Sequence, residues 1–311
     1  MRIGLHIGKF DWPSGPQGMG TKLAEIARTA DQAGFYSLWV MDHLFQLGDA
    51  YGEVHGPVNA AMMEGYTTIA YLAGVTQRIK LGVMVTCAFF RPPGLLVKTA
   101  STIDVLSGGR TYFGIGAGWF GREAAGLGIA LQSWKERYER LEETLQIIHQ
   151  MWSGQVRPYE GRYYQLAEPI NNPQPLARPH PPILIGGEGE KKTLRLVARY
   201  ADASNFVIGA PVEAFGALNT PYQDQYDFLR RKLDVLGQHC LDCDRPYAEI
   251  EKTVVTYAKL APGFQTAEEI ILLCHDLADM GFEHIIFNLP NVDEIAPLDI
   301  FGSEIIPALQ I

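Results

Sequence analysis

The stretch TIDVLSGGRTYFGIGAGW, residues 102–119, carries the clearest structural signal in this chain of 311 residues. A helical run ends at Gly108-Gly109, and a short strand, Tyr112–Gly116, follows it. The strand opens into Gly116-Ala117-Gly118 and then Trp119. Small residues at the end of a strand let the backbone approach a ligand closely, and a large flat side chain can cover that ligand. We therefore expect this segment to form the floor of a ligand site.

The alternation of helix and strand extends along the whole chain. The predicted strands are Arg2–Ile7, Ser37–Met41, Ile79–Thr86, Tyr112–Gly116, Ile183–Ile185, Ser204–Val207, Lys252–Tyr257 and His284–Asn288. The predicted helices are Thr21–Ala33, Tyr66–Val75, Gly94–Leu106, Ser133–Trp152, Lys191–Tyr200, one within Tyr222–Leu236, Ala267–Met280 and about Ile295–Leu309. Eight strands alternating with eight helices, without a linker, predict a single α/β domain over residues 1–311, a (β/α)8 TIM barrel. The length beyond the usual ~250 residues is expected in insertions after strands 2, 4 and 6, at residues 44–63, 116–180 and 207–221.

A doubly wound sheet is the competing fold. That fold normally carries the motif G-x-G-x-x-G after its first strand. Residues 8–20, GKFDWPSGPQGMG, contain glycines at a different spacing, so the barrel is favoured. Sites in such barrels lie at the C-terminal ends of the strands. This rule selects a short set of candidates, namely Asp42-His43, Thr86-Cys87, Gly116–Trp119, Gly186–Gly189 and Asn288.

Composition narrows the class of protein. Hydrophobic residues make up 47% of the chain and the formal net charge is −9. The first figure is ample for a large buried core. Charged residues make up 20% of the chain, which predicts a soluble globular protein, and the negative net charge argues against nucleic-acid binding, which needs a basic surface. No apolar run is long enough for a membrane span, and MRIGLHIG lacks the features of a signal peptide. We expect a cytoplasmic protein with a small-molecule substrate and no nucleic-acid or membrane partner.

The four cysteines, Cys87, Cys240, Cys243 and Cys274, are too few for a disulfide scaffold. Cys240-Leu-Asp-Cys243 could be a redox pair or half of a metal site, but a second such pair is missing. Unreactive thiols are therefore favoured, and no metal site is predicted.

Asp42-His43 is the first candidate for chemistry, because it directly follows the second predicted strand. A histidine at a strand's C-terminal end can donate a hydrogen bond or a proton near neutral pH. The neighbouring carboxylate could bind a ligand hydroxyl or orient a ring. The alternative is a loop pair that caps backbone groups.

Gly186-Gly187-Glu188-Gly189 lies between a strand and a helix that begins near Lys191. Free amides at a helix N-terminus, reinforced by the helix dipole, bind anions. This segment is the best phosphate candidate in the chain, and the alternative is an ordinary tight turn.

Further residues near the strand ends could either contact a ligand or have a structural role. The Thr86 hydroxyl could bond a ring carbonyl or amide, whereas Cys87 is expected to be a packing residue. Arg91 is interpreted as structural, since prolines follow it. Arg122 and Glu123 could equally be ligand contacts or a surface ion pair.

Taken together, five segments resemble the luciferase-like monooxygenase superfamily. These are LWVMDHLF (38–45), IKLGVMVTCAFFRPPGLLVKTASTIDVLSGGR (79–110), YFGIGAGW (112–119), ERYERLEETLQIIHQMW (136–152) and PHPPILIGGEGEKKTLRLVARYADASNF (179–206). Within the superfamily the chain looks most like enzymes that use coenzyme F420, an 8-hydroxy-5-deazaflavin. FMN-dependent relatives share much of the same framework.

The resemblance implies roles for individual residues. Asp42 would bond the deazaflavin, and His43 would be the active-site acid. Val85-Thr86-Cys87 would form a bulge in strand three, where relatives carry a non-prolyl cis peptide against the ring. Gly116, Ala117, Gly118 and Trp119 would run beside the cofactor, and Gly186, Gly187, Glu188 and Gly189 would lie near its phosphate-bearing tail.

Trp119 departs from the pattern of the sugar-phosphate dehydrogenases in this superfamily, which carry a glutamate there. Sugar-phosphate oxidation is therefore not expected. We expect a flat or apolar substrate instead. The favoured function is hydride transfer between C5 of F420 and a small organic substrate. The alternatives are an FMN monooxygenase supplied with FMNH2 by a separate reductase, or a non-catalytic cofactor-binding protein.

By analogy we also expect a homodimer formed through the second and third helices, and substrate selection by the loops 44–63, 153–180 and 207–221.

Overall fold

A computed structural model describes residues 1–48, 55–209 and 222–310. Its strands are β1 Arg2–Ile7, β2 Ser37–Val40, β3 Lys80–Val83, β4 Thr86–Cys87, β5 Thr111–Gly116, β6 Tyr159–Glu160, β7 Gln165–Leu166, β8 Ile183–Gly186, β9 Ala203–Val207, β10 Glu251–Tyr257 and β11 His284–Asn288. Parallel pairing runs in the order β3-β2-β1-β11-β10-β9-β8-β5, and β3 also pairs with β5. The sheet is therefore a closed eight-stranded parallel barrel, as predicted.

Helices surround the barrel. They are α1 Gly15–Ala33, α2 Gly65–Val75, α3 Pro93–Ser107, α4 Gly121–Gly126, α5 Trp134–Trp152, α6 Thr193–Tyr200, α7 Tyr222–Asp242, α8 Ala267–Asp279, α9 Ala296–Ile300 and α10 Ile306–Ala308. Short 3-10 turns occupy Tyr247–Glu249 and Val292–Glu294, and β6 and β7 form an antiparallel hairpin. Over the described residues, no helix is both long and apolar enough to cross a membrane.

Three elements differ from the prediction. The third predicted strand, Ile79–Thr86, is divided into β3 and β4, and the peptide bond between Met84 and Val85 in the gap is cis. Helix α1 begins before Thr21, because a proline in its first turn suits a helix start. The single last helix predicted at Ile295–Leu309 is interrupted by a π-helical turn, Phe301–Ile305, between α9 and α10. The predicted substrate-selecting loops 44–63 and 207–221 extend into 49–54 and 210–221, which lie outside the described residues.

Successive side chains along each strand face the helices and the barrel interior in turn, and they form two separate hydrophobic cores. In β1, Ile3, Leu5 and Ile7 belong to the large cluster between strands and helices, while Gly4 and His6 alternate with them. A second cluster fills the barrel interior with the side chains of Trp39, Tyr112, Leu184, Ala203, Val255 and Ile286. The interior is thus packed, as is usual for small barrels, and a ligand site has to lie at an end.

The N-terminal end of the barrel is closed by a buried polar network. The Trp39 indole N–H donates to Ser37 Oγ (2.7 Å), and Ser37 Oγ lies 2.8 Å from His284 Nε2. Glu251 accepts hydrogen bonds from Arg2 (2.9 Å) and the Tyr112 hydroxyl (2.5 Å). Burial raises the pKa of Glu251, but His284 and these two bonds outweigh it and lower the pKa to about 2. The opposite end of the barrel is therefore the open one.

Candidate active site

A cavity of about 300 Å³ opens at the C-terminal ends of the strands. Most of the predicted site residues meet in its wall: Asp42, His43, Val85, Cys87, Gly116, Ala117, Gly118, Trp119, Gly186 and Gly187. A larger groove of about 1000 Å³ lies elsewhere, against the outer face of α5, and none of the predicted site residues line it. The smaller cavity is the candidate site, because it combines concave apolar walls with a few converging polar groups.

Asn288 lies outside this cavity wall, buried with its amide nitrogen 3.1 Å from Nδ1 of His6, and three of the residues predicted to bind the cofactor do not line the cavity either. The Thr86 hydroxyl is fully buried and hydrogen-bonded to the Tyr66 hydroxyl (2.7 Å). The Glu188 carboxylate accepts a hydrogen bond from the backbone N–H of Val207 (2.7 Å), and burial raises its pKa. Gly189 lies in the turn before α6, outside the wall. Contact of these three with a cofactor stays a prediction.

The bulge between β3 and β4 projects the Val85 side chain toward the glycines of two neighbouring strands. A methyl group at Gly116 would lie 2.9 Å from Val85 Cγ2, and one at Gly186 would lie 2.8 Å from Val85 Cγ1. Such distances are shorter than van der Waals contact, so neither position accepts a side chain beside Val85. Because Gly116 on β5 and Gly186 on β8 have no side chains, the Val85 side chain fits against them and the bulge forms part of the cavity wall.

Asp42 is buried, and its carboxylate holds the bulge from the other side. It accepts two hydrogen bonds from the Arg91 guanidinium (both 2.8 Å) and one from the backbone N–H of Cys87 (2.9 Å). Arg91 also pairs with Glu64. Burial raises the pKa of Asp42, while the bonds from Arg91 act in the opposite direction. Arg91 is structural, as predicted, because it neutralises a carboxylate in the cavity wall.

His43 follows β2, and its side chain is 16% exposed. Its Nδ1 lies 2.8 Å from Oε1 of Glu123, whose other oxygen accepts the backbone N–H groups of Leu44 (2.6 Å) and Phe45 (3.2 Å). A carboxylate can only accept, so Nδ1 carries the proton. Over the described residues, Nε2 of His43 has no protein hydrogen-bond partner. This nitrogen is available to a ligand.

The surroundings of His43 are aromatic. The rings of Trp119 and Phe120 lie edge-on to its imidazole, at centroid distances of 5.6 and 5.7 Å. Two further histidines, His6 and His55, line the cavity. Burial lowers the pKa of His6 to about 3 and that of His55 to about 4, so both are neutral at pH 7.

Three of the four cysteines, Cys87, Cys240 and Cys274, are buried, and Cys243 is exposed. Burial raises the pKa of the Cys87 thiol to about 12, which keeps it protonated and supports its interpretation as a packing residue. All four cysteines are free thiols. The described part of the chain contains no cluster of His, Cys, Asp and Glu suited to a metal ion.

Sequence reasoning missed several site residues. The sequence does not decide between a ligand contact and a surface ion pair for Glu123, which lies in the first turn of a short helix just after Trp119. His6 is the polar member of the alternation in β1, and that pattern could have placed it inside the barrel. Phe89, Phe90, Trp134 and Asn205 also line the cavity. Trp134 begins a helix far along the chain, and no local signal indicates its position.

Comparisons with known proteins agree with this architecture. The model of the luciferase-like monooxygenase family matches residues 1–261. The F420-dependent glucose-6-phosphate dehydrogenase of Nakamurella multipartita is 27% identical, over 97% of this chain and 96% of that enzyme.

Two solved structures share the fold at low identity. Monooxygenase RslO1 from Streptomyces bottropensis superposes with a TM-score of 0.76 at 16% identity, over 99% of both chains. The coenzyme F420-dependent tetrahydromethanopterin reductase from Methanopyrus kandleri has a TM-score of 0.75 at 15% identity, over 100% of both chains. At these identities the likeness shows the fold alone.

Proposed function

Because the chain belongs to the luciferase-like monooxygenase family, we propose that it is a coenzyme F420-dependent oxidoreductase. It would transfer a hydride between C5 of the deazaflavin and a small organic substrate. The observation that carries this proposal is the His43–Glu123 pair, which presents a free imidazole nitrogen to a cavity walled by the Val85 bulge. The full-length similarity to an F420-dependent dehydrogenase favours F420 over FMN.

The described residues fit a cofactor with a flat ring and an anionic tail. Along one wall the backbone is exposed at Gly187, which has no side chain of its own and a φ of 117°. Lys191 and Lys192 follow on the exposed turn before α6. Positive charge and a helix N-terminus together suit a phosphate group. We therefore assign the tail to the turn at 186–192 and the ring to the wall formed by Val85 and Gly116.

When bound, F420 supplies the hydride chemistry, and the protein supplies orientation and a proton. Glu123 holds the His43 ring in one orientation through Nδ1, so that Nε2 faces the cavity. In the reductive direction, the doubly protonated ring, whose charge the Glu123 carboxylate balances, would give its Nε2 proton to the substrate oxygen. Asp42 and Arg91 keep the bulge in position, and the aromatic rings of Trp119 and Phe120 flank His43.

Cofactor titration tests the proposal. Purified protein is titrated with oxidised F420 and, separately, with FMN, while intrinsic fluorescence is followed. Trp119 and Trp134 line the cavity and should report binding. We expect saturable quenching with F420. Tight binding of FMN together with no binding of F420 would instead identify a flavin monooxygenase.

Cytoplasmic location and a homodimer formed through α2 and α3 complete the proposal. Large apolar side chains are exposed on these helices: Tyr71 on α2 is 42% exposed, and Leu95 and Leu106 on α3 are 58% and 68% exposed. Sedimentation should give a dimer mass, and Leu106→Asp should shift it toward the monomer. A monomeric mass for the wild-type protein would refute the homodimer and leave the proposed activity untouched.

A further inference from the structure

The end of the cavity around His43 has apolar walls. Met41 and Leu47 form a small buried cluster with Phe120 packed against it. Trp119 and Trp134 complete the wall and remain 41% and 56% exposed. Such a surface gains free energy by covering apolar area of a ligand.

Every acidic group in the described wall already has a partner. Asp42 is paired with Arg91, and Glu123 is paired with His43. Over the described lining, no lysine or arginine side chain contributes to the wall. Arg137 lies next to the wall, but its guanidinium stacks on the Trp134 ring at 3.7 Å from the centroid and donates to the Gly118 carbonyl (2.7 Å). The Arg137 charge is therefore covered by protein.

The flanking segments cannot add positive charge, whatever their arrangement. Residues 44–63 and 207–221 contain no lysine or arginine, and their charged residues are Asp49, Glu53 and Glu213. In the third predicted loop, Arg157 and Arg162 line the separate outer groove. Arg178 donates to the carbonyls of Pro175 and Ala177. The cationic residues Lys191 and Lys192 lie on the turn that we assign to the cofactor tail.

We infer that the substrate of this enzyme is an uncharged, mainly apolar carbonyl compound or the corresponding alcohol, held by one hydrogen bond to His43. An anionic group would lose its hydration without gaining an unpaired cationic partner, because His43 is already paired with Glu123, and this loss is costly. This inference rests on the proposed function and names its substrate class. It separates the chain from the glucose-6-phosphate dehydrogenases that it resembles, whose named substrate carries a phosphate.

The reaction balances with the groups present. The carbonyl carbon of a ketone gains the hydride from reduced F420, and its oxygen gains the Nε2 proton of the protonated His43, which is left neutral with its remaining proton on Nδ1, so that a secondary alcohol and oxidised F420 are formed. The histidine is reprotonated from solvent. In the reverse direction, His43 accepts the hydroxyl proton as the hydride leaves carbon. His6 and His55 remain neutral at pH 7 and add no positive charge to the cavity.

A pair of nearly isosteric ketones tests the inference. 4-Methylcyclohexanone and 4-oxocyclohexanecarboxylate differ in a methyl group against a carboxylate. F420 binding is first established by titration, and the affinity of each ketone for the F420-loaded protein is then measured by fluorescence, with turnover followed in parallel. We expect the neutral ketone to bind at least about 100-fold more tightly. Equal affinities, a preference for the carboxylate, or binding of neither ketone would overturn the inference.

A charge placed in the wall should change this selectivity. Trp134→Lys adds an ammonium group and uncovers Arg137, and Trp134 is exposed enough to be replaced without loss of the core. We expect the preference for the neutral ketone to shrink at least about tenfold. Leu272→Lys, at a 62% exposed position on α8, is the matched control and should leave the preference as it is. Failure of F420 to bind would refute the proposed function, whereas F420 binding with an unchanged preference in Trp134→Lys would refute the substrate class alone.

Discussion

Nδ1 of His43 lies 2.8 Å from Oε1 of Glu123, and the second oxygen of the same carboxylate accepts the N–H groups of Leu44 and Phe45. One side chain thus fixes both the imidazole and the backbone that follows it. Glu123 is only 2% exposed, so these bonds are protected from water. Nδ1 of His43 is therefore fixed as a hydrogen-bond donor and the ring has one orientation, and the proton for the proposed reaction comes from Nε2 when the ring is doubly protonated.

Replacing Glu123 tests this relationship. Glu123→Gln keeps the size of the side chain but removes the carboxylate charge that stabilises the protonated ring of His43. We expect kcat to fall at least about tenfold and its pH profile to shift, with F420 affinity nearly unchanged. The matched control is Glu143→Gln, because Glu143 also accepts backbone N–H groups, from Arg162, Tyr163 and Tyr164, but lies outside the site. Equal losses in both variants would mean that the effect is structural.

His43→Ala removes the proposed proton donor itself. Because a positioned acid or base contributes about 10² to 10⁴ in rate, we expect single-turnover hydride transfer to slow by that factor. F420 affinity should change far less, and fluorescence titration of the same variant checks this. An unchanged rate would identify the protein as a cofactor-binding protein without catalytic use of His43.

Arg91→Met leaves the Asp42 carboxylate, whose side chain is 1% exposed, without its cationic partner. An unpaired buried charge typically costs about 3–5 kcal/mol, and we expect the free energy of unfolding to fall by that amount in urea titrations. Asp42→Asn together with Arg91→Met should recover most of the loss. A double variant no more stable than the single one would show that Arg91 acts through packing instead.

Acid should destabilise the fold through buried histidines. An unfolded histidine takes up a proton near pH 6.5, whereas His6 and His55 do so in the fold only near pH 3 and 4. The unfolded state thus binds more protons in this interval, so stability falls as the pH drops from about 6.5 toward 4. At pH 5 each histidine opposes folding by about 2 kcal/mol.

The contribution of His6 can be isolated by comparing urea unfolding at pH 7 and pH 5. His6→Asn should reduce the loss of stability between these two values by about 2 kcal/mol. His275→Asn, at the surface of α8, serves as the control and should not reduce it. The same pH dependence in wild type and His6→Asn would contradict the assignment.

The barrel and the location of its site could be predicted from sequence, because both depend on local patterns. Alternating strands and helices predicted the closed sheet. Because sites in such barrels lie at the C-terminal ends of the strands, the sequence also predicted that Asp42, His43 and Gly116 line one cavity. What the pattern could not give were partners distant in sequence. Glu123 reaches His43 across 80 residues, and Arg91 reaches Asp42 across 49. Such pairs depend on how helices and loops fold back over the barrel end, which no local spacing encodes.

The Val85 side chain occupies space that Gly116 and Gly186 leave empty. These three positions belong to the bulge between β3 and β4, to β5 and to β8, yet a change at one alters what the others tolerate. A side chain gained at Gly116 is harmful while valine remains at position 85 and becomes acceptable after that valine is shortened. The order in which mutations arise therefore decides which ones survive, and this end of the barrel can evolve only along a few mutational paths.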